Sequence, residues 1–164
     1  MTLVVFLGGA RSGKSRLAVE RAQDAGLPVT FIATGEAGDD EMRERIERHR
    51  EERPAGWRTV EEPLQVGRAL DSVAPGETAI LDCLSLWVAN AFAAQQDPDD
   101  EALRAAVTRE GLTIAVSNEV GMGIVPDNAL AREYRDALGR VNAAWVGAAD
   151  EAYFVVAGRT VRLS

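Results

Sequence analysis

The chain is poor in three residue types that reactive sites often use: its 164 residues include one cysteine, one lysine and one histidine. A single cysteine, Cys83, cannot close an internal disulfide or build a cysteine-based metal cluster, and it is typical of a protein of the reducing cytoplasm. No apolar run approaches the roughly 18 residues that span a membrane, and the N-terminal segment does not resemble a signal peptide. We therefore expect a cytoplasmic protein without membrane insertion.

Positive charge is also scarce, because 18 basic residues face 26 acidic ones and leave a formal net charge of -8. General nucleic-acid binding needs a basic surface that displaces counterions, so we expect no nucleic-acid partner. Of the 18 basic residues, 17 are arginine, and the only lysine is Lys14. A genome biased towards arginine would explain this ratio, whereas the sequence around Lys14 favours a functional reason for an ammonium group there.

Short β-branched and apolar segments alternate with amphipathic ones, which predicts strands that alternate with helices. The length suits one domain over residues 1–164. The pattern predicts an α/β fold with a mostly parallel sheet, helices on both faces and a C-terminal hairpin. The predicted strands are 2–7, 28–33, 78–81, 112–117, 151–157 and 160–163, and the predicted helices are 15–25, 39–53, 64–73, 85–94, 101–110 and 128–149.

The segment GGARSGKS, residues 8–15, follows the first predicted strand directly and leads into the first predicted helix. It matches the pattern G-x-x-x-x-G-K-[ST] without a mismatch, which predicts a phosphate-binding loop and a P-loop NTPase fold of the RecA-like kind. Backbone N–H groups and the helix N-terminus bind phosphate oxygens, while the Lys14 ammonium neutralises phosphate charge. The predicted nucleotide-binding residues here are Gly8, Gly9, Ala10, Arg11, Ser12, Gly13, Lys14 and Ser15.

Polar residues also follow the other predicted strands, at the carboxyl edge where ligands bind in parallel sheets. Residues 34–35 follow the second strand, Asp82 ends the third, and residues 118–119 follow the fourth. Asp82 resembles the acid that holds Mg²⁺ near a phosphate-binding loop, where the Ser15 hydroxyl would be a second ligand. A solvated strand-end aspartate or a helix cap is the alternative interpretation of Asp82.

His49 lies on the second predicted helix, in register with Met42 and Ile46. The spacing i, i+4 and i+7 places the three residues on one apolar stripe, so the pattern alone favours a packed histidine. Nearby arginines, among them Arg50 and Arg53, would guide phosphates, whereas the interleaved glutamates favour a solvated charged face. The residues themselves leave both interpretations of this helix open.

Six segments together resemble the bifunctional adenosylcobinamide kinase / adenosylcobinamide-phosphate guanylyltransferase family of cobalamin biosynthesis. NEVGMGIVP and the R-I-x-x-H-[RK]-x-x-R-P pattern around His49 are specific, whereas the phosphate-binding loop alone is shared by many families. The six segments are GGARSGKS at 8–15, FIAT at 31–34, residues 39–59, AILDCLS at 79–85, SNEVGMGIVP at 117–126 and residues 132–158.

The resemblance implies two reactions. In the first, ATP or GTP phosphorylates the aminopropanol hydroxyl of adenosylcobinamide, with Mg²⁺ as cofactor. In the second, GTP transfers GMP to that phosphate through a GMP–histidine intermediate, and the motif places this histidine at His49. The implied catalytic residues are His49 and Lys14, the implied Mg²⁺ ligands are Ser15 and Asp82, and the further nucleotide contacts are Thr34, Gly35, Arg50, Arg53, Glu61 and Asp82. A homo-oligomer, specifically a trimer, is implied as well.

Two other functions fit a phosphate-binding loop. One is a monofunctional kinase for another small alcohol, with His49 structural, and the other is a non-catalytic nucleotide-dependent switch. The switch is disfavoured because no N-K-x-D guanine-reading motif is recognisable. Without this motif, the sequence does not by itself establish a preference for guanine. The chain departs from the family pattern at Gly35, where serine is common, at Asp82, where glutamate is frequent, and in a short segment 95–111.

Overall fold

The structure is a computed structural model that describes residues 1–51, 53–98 and 100–163. The strands are β1 (Thr2–Gly8), β2 (Val29–Ala33), β3 (Arg58–Glu61), β4 (Thr78–Asp82), β5 (Leu112–Asn118), β6 (Glu151–Val156) and β7 (Arg159–Arg162). The helices are α1 (Lys14–Ala25), α2 (Asp40–Glu51), α3 (Val66–Asp71), α4 (Leu84–Ala93), α5 (Asp100–Thr108) and α6 (Ala129–Ala148). The strands form one sheet in the order β3-β2-β4-β5-β1-β6-β7.

Neighbouring strands are parallel throughout the sheet except at β7, which pairs antiparallel with β6. The predicted parallel sheet and C-terminal hairpin are therefore confirmed. The hairpin turn is formed by Ala157 and Gly158, whose φ angles are 50° and 72°. Positive φ at both central residues suits a tight hairpin turn, and this turn lies one residue earlier than the sequence predicts.

Strand β3 is an element that the sequence pattern does not predict. Its four residues, RTVE, are mostly exposed, so they lack the alternation between apolar and polar positions that marks a half-buried strand. The strand forms at the edge of the sheet because it pairs with β2, where Glu61 lies beside Ala33. This pairing brings Glu61 to the carboxyl edge of the sheet.

Two apolar clusters cover the two faces of the sheet. Successive residues of β1 enter opposite clusters, as the alternation of a pleated strand requires: Val5 packs with α3–α6, and Val4 packs with α1. Trp87 and Trp145 pack in one of these clusters and are each 2% exposed. Among the described residues, no helix is long and apolar enough to cross a membrane.

Helix α2 begins directly after Asp39, the first residue of the predicted helix 39–53. The Asp39 carboxylate accepts a hydrogen bond from the Met42 backbone N–H at 2.7 Å, which satisfies one of the donors left open in the first turn. The helix is described as far as Glu51. Glu52, which the sequence predicts to be helical, lies outside the described residues.

The phosphate-binding loop packs against the C-terminal hairpin. The Gly158 N–H donates to the Ser12 carbonyl at 2.9 Å, and a Cβ atom on Gly8 would lie 2.4 Å from the Val155 carbonyl oxygen. Gly13, which precedes α1, has φ of 98°, a conformation that favours glycine. The hairpin thus packs against the phosphate-binding loop and leaves no room for a side chain at Gly8.

Gly8→Ala is expected to destabilise the protein, because the new methyl group would collide with the backbone of β6. Overpacking of this kind typically costs about 1–3 kcal/mol, which urea denaturation can measure. Gly9→Ala is the matched control, since a Cβ atom there would meet nothing within 4 Å. Equal stability losses in the two variants would contradict the packing described here.

Candidate functional site

A cavity opens where the carboxyl ends of β1, β2, β4 and β5 meet at one edge of the sheet. Lys14 and Ser15 reach it from the start of α1, and Asp82 reaches it from the end of β4. Helix α2 forms the opposite wall, which includes His49. The only lysine and the only histidine of the chain therefore line one cavity.

The acid of this cavity is held in a poorly solvated position. Burial raises the pKa of Asp82, despite the opposing effects of His49, Lys14, the nearby Ser15 hydroxyl and Arg53. Since burial disfavours the charged carboxylate, a bound cation would stabilise it. Asp82 and Ser15 fit Mg²⁺, which binds through one or two carboxylates together with phosphates and water.

The described residues contain no group of three or more His, Cys, Asp or Glu side chains that could hold a metal ion by themselves. A metal ion at Asp82 would therefore need ligands from a bound substrate. This is how Mg²⁺ enters many phosphoryl-transfer sites, because it arrives with the nucleotide.

The phosphate-binding loop holds polar groups that match a phosphate. Lys14 is 8% exposed, and its Nζ donates to the Gly9 carbonyl at 3.0 Å, so the ammonium lies over its own loop. Within the described part of the chain, the buried Ser12 hydroxyl oxygen has no hydrogen-bond partner. Since a buried hydroxyl without a partner costs free energy, a phosphate oxygen would satisfy a group that the protein leaves open.

Helix α2 carries both of the surfaces that its sequence suggests. Met42, Ile46 and His49 are partly buried and line the cavity, which confirms the predicted inward stripe. Arg48 and Glu47 are exposed and belong to the charged face. His49 is therefore neither a core residue nor part of the solvated face, because its side chain borders the cavity.

Arg53 supplies a second cation to the cavity. Its guanidinium lies over the Phe31 ring, with Cζ 3.8 Å from the ring centroid, and its Nη1 donates to the Thr59 hydroxyl at 3.2 Å. Burial lowers the pKa of Arg53, while the Asp82 carboxylate acts in the opposite direction. A partly desolvated guanidinium beside a phosphate-binding loop suits a phosphate group.

Comparison with known proteins identifies the family of the chain. A family described as cobinamide kinase / cobinamide phosphate guanyltransferase matches residues 4–163. The chain belongs to this family. The sequence resemblance is thereby confirmed over almost the whole chain.

Three relatives carry the same kind of name. The chain is 45% identical over 160 residues to the bifunctional adenosylcobalamin biosynthesis protein CobP of Pseudomonas aeruginosa, with 94% of this chain and 92% of that protein covered. It is 40% identical over 184 residues to the bifunctional adenosylcobalamin biosynthesis protein CobU of Salmonella typhimurium, and 38% identical over 180 residues to CobU of Escherichia coli. Each of these two alignments covers 98% of this chain and 99% of the relative.

Among solved structures, an ATPase from the type III secretion system of pathogenic bacteria matches with a TM-score of 0.46 and 10% identity. The match covers 93% of this chain and 51% of that chain. The likeness is too weak to support a statement about function.

Two expected nucleotide contacts lie away from the phosphate-binding loop. Arg50 and Glu61 form an exposed ion pair and border a separate surface pocket between α2 and the edge of the sheet. Gly35 borders both this pocket and the main cavity. Arg50 and Glu61 therefore stay predicted nucleotide contacts, at a pocket that adjoins the main cavity through Gly35 and Ile46.

Thr34, another predicted nucleotide contact, is a buried residue at the end of β2. Its side chain is 0% exposed, and its hydroxyl donates to the Cys83 carbonyl at 2.8 Å and accepts from the Cys83 N–H at 2.9 Å. The Thr34 carbonyl accepts from the Asn90 side chain at 2.7 Å. Thr34 therefore connects the end of β2 to the segment that follows Asp82.

Gly35, where family members commonly have serine, is not required by steric crowding. A Cβ atom there would lie 3.4 Å from Leu86 Cδ1 and 3.6 Å from Ile46 Cδ1, which are ordinary contacts. The Cβ atom of a serine would therefore be accommodated at this border of the cavity.

The sequence predicts no functional role for Phe31 and only a position at the ligand-binding edge for Asn118, and both residues line the cavity. Phe31 lies within an apolar strand and looks like any core residue. Asn118 is the last residue of β5, and its place at the end of a buried strand is the only signal that its sequence offers. Only the pairing of strands shows that this position lies beside Gly8.

Asp82→Asn is expected to stabilise the nucleotide-free protein while it removes the candidate Mg²⁺ ligand. The raised pKa of Asp82 means that the folded state disfavours its charge, and the amide carries no charge. A gain of about 1 kcal/mol corresponds to an increase of roughly 2–4 °C in the melting temperature of a domain of this size. Calorimetry without nucleotide measures this change, and a lower melting temperature would contradict the electrostatic description.

Proposed function

We propose that this protein phosphorylates the hydroxyl group of adenosylcobinamide with ATP or GTP, and then transfers GMP from GTP to the new phosphate through a GMP–His49 intermediate. The observation that carries the proposal is that Lys14 and His49 line one cavity. Family membership supplies the acceptor, because the family is described as both a cobinamide kinase and a cobinamide phosphate guanyltransferase.

In the kinase step, the backbone N–H groups of residues 8–15 bind the phosphates of the donor. The acceptor oxygen forms a bond to the γ-phosphorus, the bond to the β–γ bridging oxygen breaks, and the nucleoside diphosphate leaves. Lys14 stabilises the negative charge that spreads over the transferring group. Mg²⁺, held by Ser15 and Asp82, would supply further neutralisation of the β- and γ-phosphates.

In the GMP-transfer step, an imidazole nitrogen of His49 attacks the α-phosphorus of GTP, and pyrophosphate leaves. A phosphate oxygen of the phosphorylated acceptor then attacks the same phosphorus, and the P–N bond breaks to restore the imidazole. A covalent intermediate divides one difficult transfer into two easier ones. Arg53, next to His49 on the cavity wall, would neutralise the phosphate charge near the attacking nitrogen.

The monofunctional kinase remains the main alternative. It would leave His49 without a chemical role, although this half-buried side chain lines the cavity that also contains Lys14 and Asp82. The position of His49 therefore favours the bifunctional enzyme.

A homotrimer in the cytoplasm is part of the proposal. The loop between β5 and α6 exposes Met122, Ile124 and Val125 by 78%, 98% and 62%. Exposed apolar residues in such a cluster are typical of surfaces that contact another molecule. The single cysteine, Cys83, suits a reducing compartment.

Incubation with Mg²⁺ and GTP labelled at the α-phosphate is expected to leave covalent label on the protein. The P–N bond should resist alkali and break in acid, and GTP labelled at the γ-phosphate should leave no label. His49→Asn is expected to abolish the labelling, whereas Arg48→Ala on the exposed face of the same helix should retain it. Undiminished label on His49→Asn would refute the intermediate.

Transfer of phosphate from γ-labelled nucleotide to adenosylcobinamide tests the kinase half in the same variants. This transfer should persist in His49→Asn, and it should fall by on the order of 10²–10³-fold in Lys14→Ala, as expected when a group that stabilises the transition state is removed. Near-normal transfer by Lys14→Ala would exclude the assigned role of the loop.

A further inference from the structure

Asn118 is the one polar residue of β5 that borders the cavity, and the reactions described above leave it without a role. Strand β5 lies between β1 and β4 in the sheet. Its last residue, Asn118, pairs with Gly8, and Val116 pairs with Asp82. The middle strand therefore brings an amide side chain to the space between the phosphate-binding loop and the candidate Mg²⁺ ligand.

Hydrogen bonds with buried polar residues fix the position of Asn118. Its side-chain Nδ2 donates to the Ser85 hydroxyl at 2.7 Å, and its backbone carbonyl accepts from the Asn142 side chain at 3.1 Å. Ser85 and Asn142 are 3% and 4% exposed. Asn142 is in turn fixed by the Ser117 hydroxyl, which donates to its Oδ1 at 2.6 Å. The amide is thus oriented before any ligand binds.

The two parts of the site differ in the residues they contain. The main cavity is lined by Lys14 and Asn118 as well as by His49 and Arg53. An adjoining pocket between α1 and α2 includes His49, Arg53 and Arg16 but neither Lys14 nor Asn118. Since the loop lysine contacts the β- and γ-phosphates, Asn118 belongs to the end of the site that holds the terminal phosphoryl group.

We propose that Asn118 is a catalytic residue of the kinase step, whose side-chain amide donates a hydrogen bond to the terminal phosphoryl group of the nucleoside triphosphate. The proposal rests on the proposed function for its reaction. A side-chain amide has two N–H donors, and Ser85 takes one of them. The other is available for a phosphoryl oxygen in the cavity.

The amide gives up no proton in this role. The acceptor oxygen bonds to the γ-phosphorus, the nucleoside diphosphate leaves with the electron pair of the broken P–O bond, and the acceptor's hydroxyl proton passes to solvent. Asn118 stabilises the charge on the phosphoryl oxygens during transfer, as preoriented donors do. Because a nucleoside diphosphate lacks the γ-phosphoryl group, Asn118 should favour triphosphate over diphosphate.

The test compares the affinities for a non-hydrolysable triphosphate and for the diphosphate in matched variants, by calorimetric titration with Mg²⁺. Asn118→Asp replaces the donor by a carboxylate, and Asn118→Leu removes it without adding charge. In both variants the triphosphate-to-diphosphate affinity ratio should fall by about tenfold or more, equivalent to roughly 1.4 kcal/mol. Asn128→Asp is the control, because Asn128 caps α6 through the Ala131 N–H at 2.9 Å and aspartate caps equally well.

Kinetics separates the kinase step from the GMP-transfer step. At saturating GTP, both Asn118 variants should lose phosphorylation of adenosylcobinamide by on the order of 10²-fold, while covalent labelling of His49 proceeds at the wild-type rate. An unchanged affinity ratio, or equal losses in the two steps, would overturn the role of Asn118. Failure of the proposed function is a different result, since wild-type protein would then phosphorylate no adenosylcobinamide although the ratio is still measurable.

Discussion

The whole site depends on one constraint, namely that parallel strands buried on both faces end at the same edge of the sheet. The order of the strands places β5 between β1 and β4, so Lys14, Asn118 and Asp82 converge although they are far apart in sequence. Only the loops and helix N-termini at that edge are free to meet a ligand. Helix α2 then forms the opposite wall of the site with its apolar stripe and His49.

Without a ligand, charged and polar groups at this edge of the sheet lie in energetically unfavourable positions. Burial raises the pKa of Asp82 and lowers the pKa of Arg53, and the Ser12 hydroxyl is buried without a partner among the described residues. Phosphates and a divalent cation would supply the missing partners. Such unfavourable placement in the absence of ligand is a common compromise between stability and function.

Much of this arrangement is predictable from local sequence. The loop motif, the apolar strands and the acid at the end of β4 are short-range signals, and the inward stripe of α2 follows from helical periodicity. Their convergence follows from the general rule for parallel sheets. The family resemblance adds the chemistry of His49, which the helix pattern alone leaves open.

The remaining features depend on partners that are distant in sequence. The exposed residues of β3 form a strand only because β2 offers its edge, and the Thr34 hydroxyl is paired with the backbone of Cys83. Arg50 lies close to His49 in sequence but pairs with Glu61 outside the cavity. No local sequence pattern predicts these pairings.

The central claim is that a single cavity serves both transfers, and competition between them tests it most directly. The rate of covalent GMP labelling can be measured at rising concentrations of a non-hydrolysable ATP analogue. The analogue itself adds no labelled GMP to the protein. One shared site predicts purely competitive inhibition, with an inhibition constant equal to the analogue's dissociation constant in direct titration. Labelling that continues while the analogue saturates the phosphate-binding loop would contradict the claim.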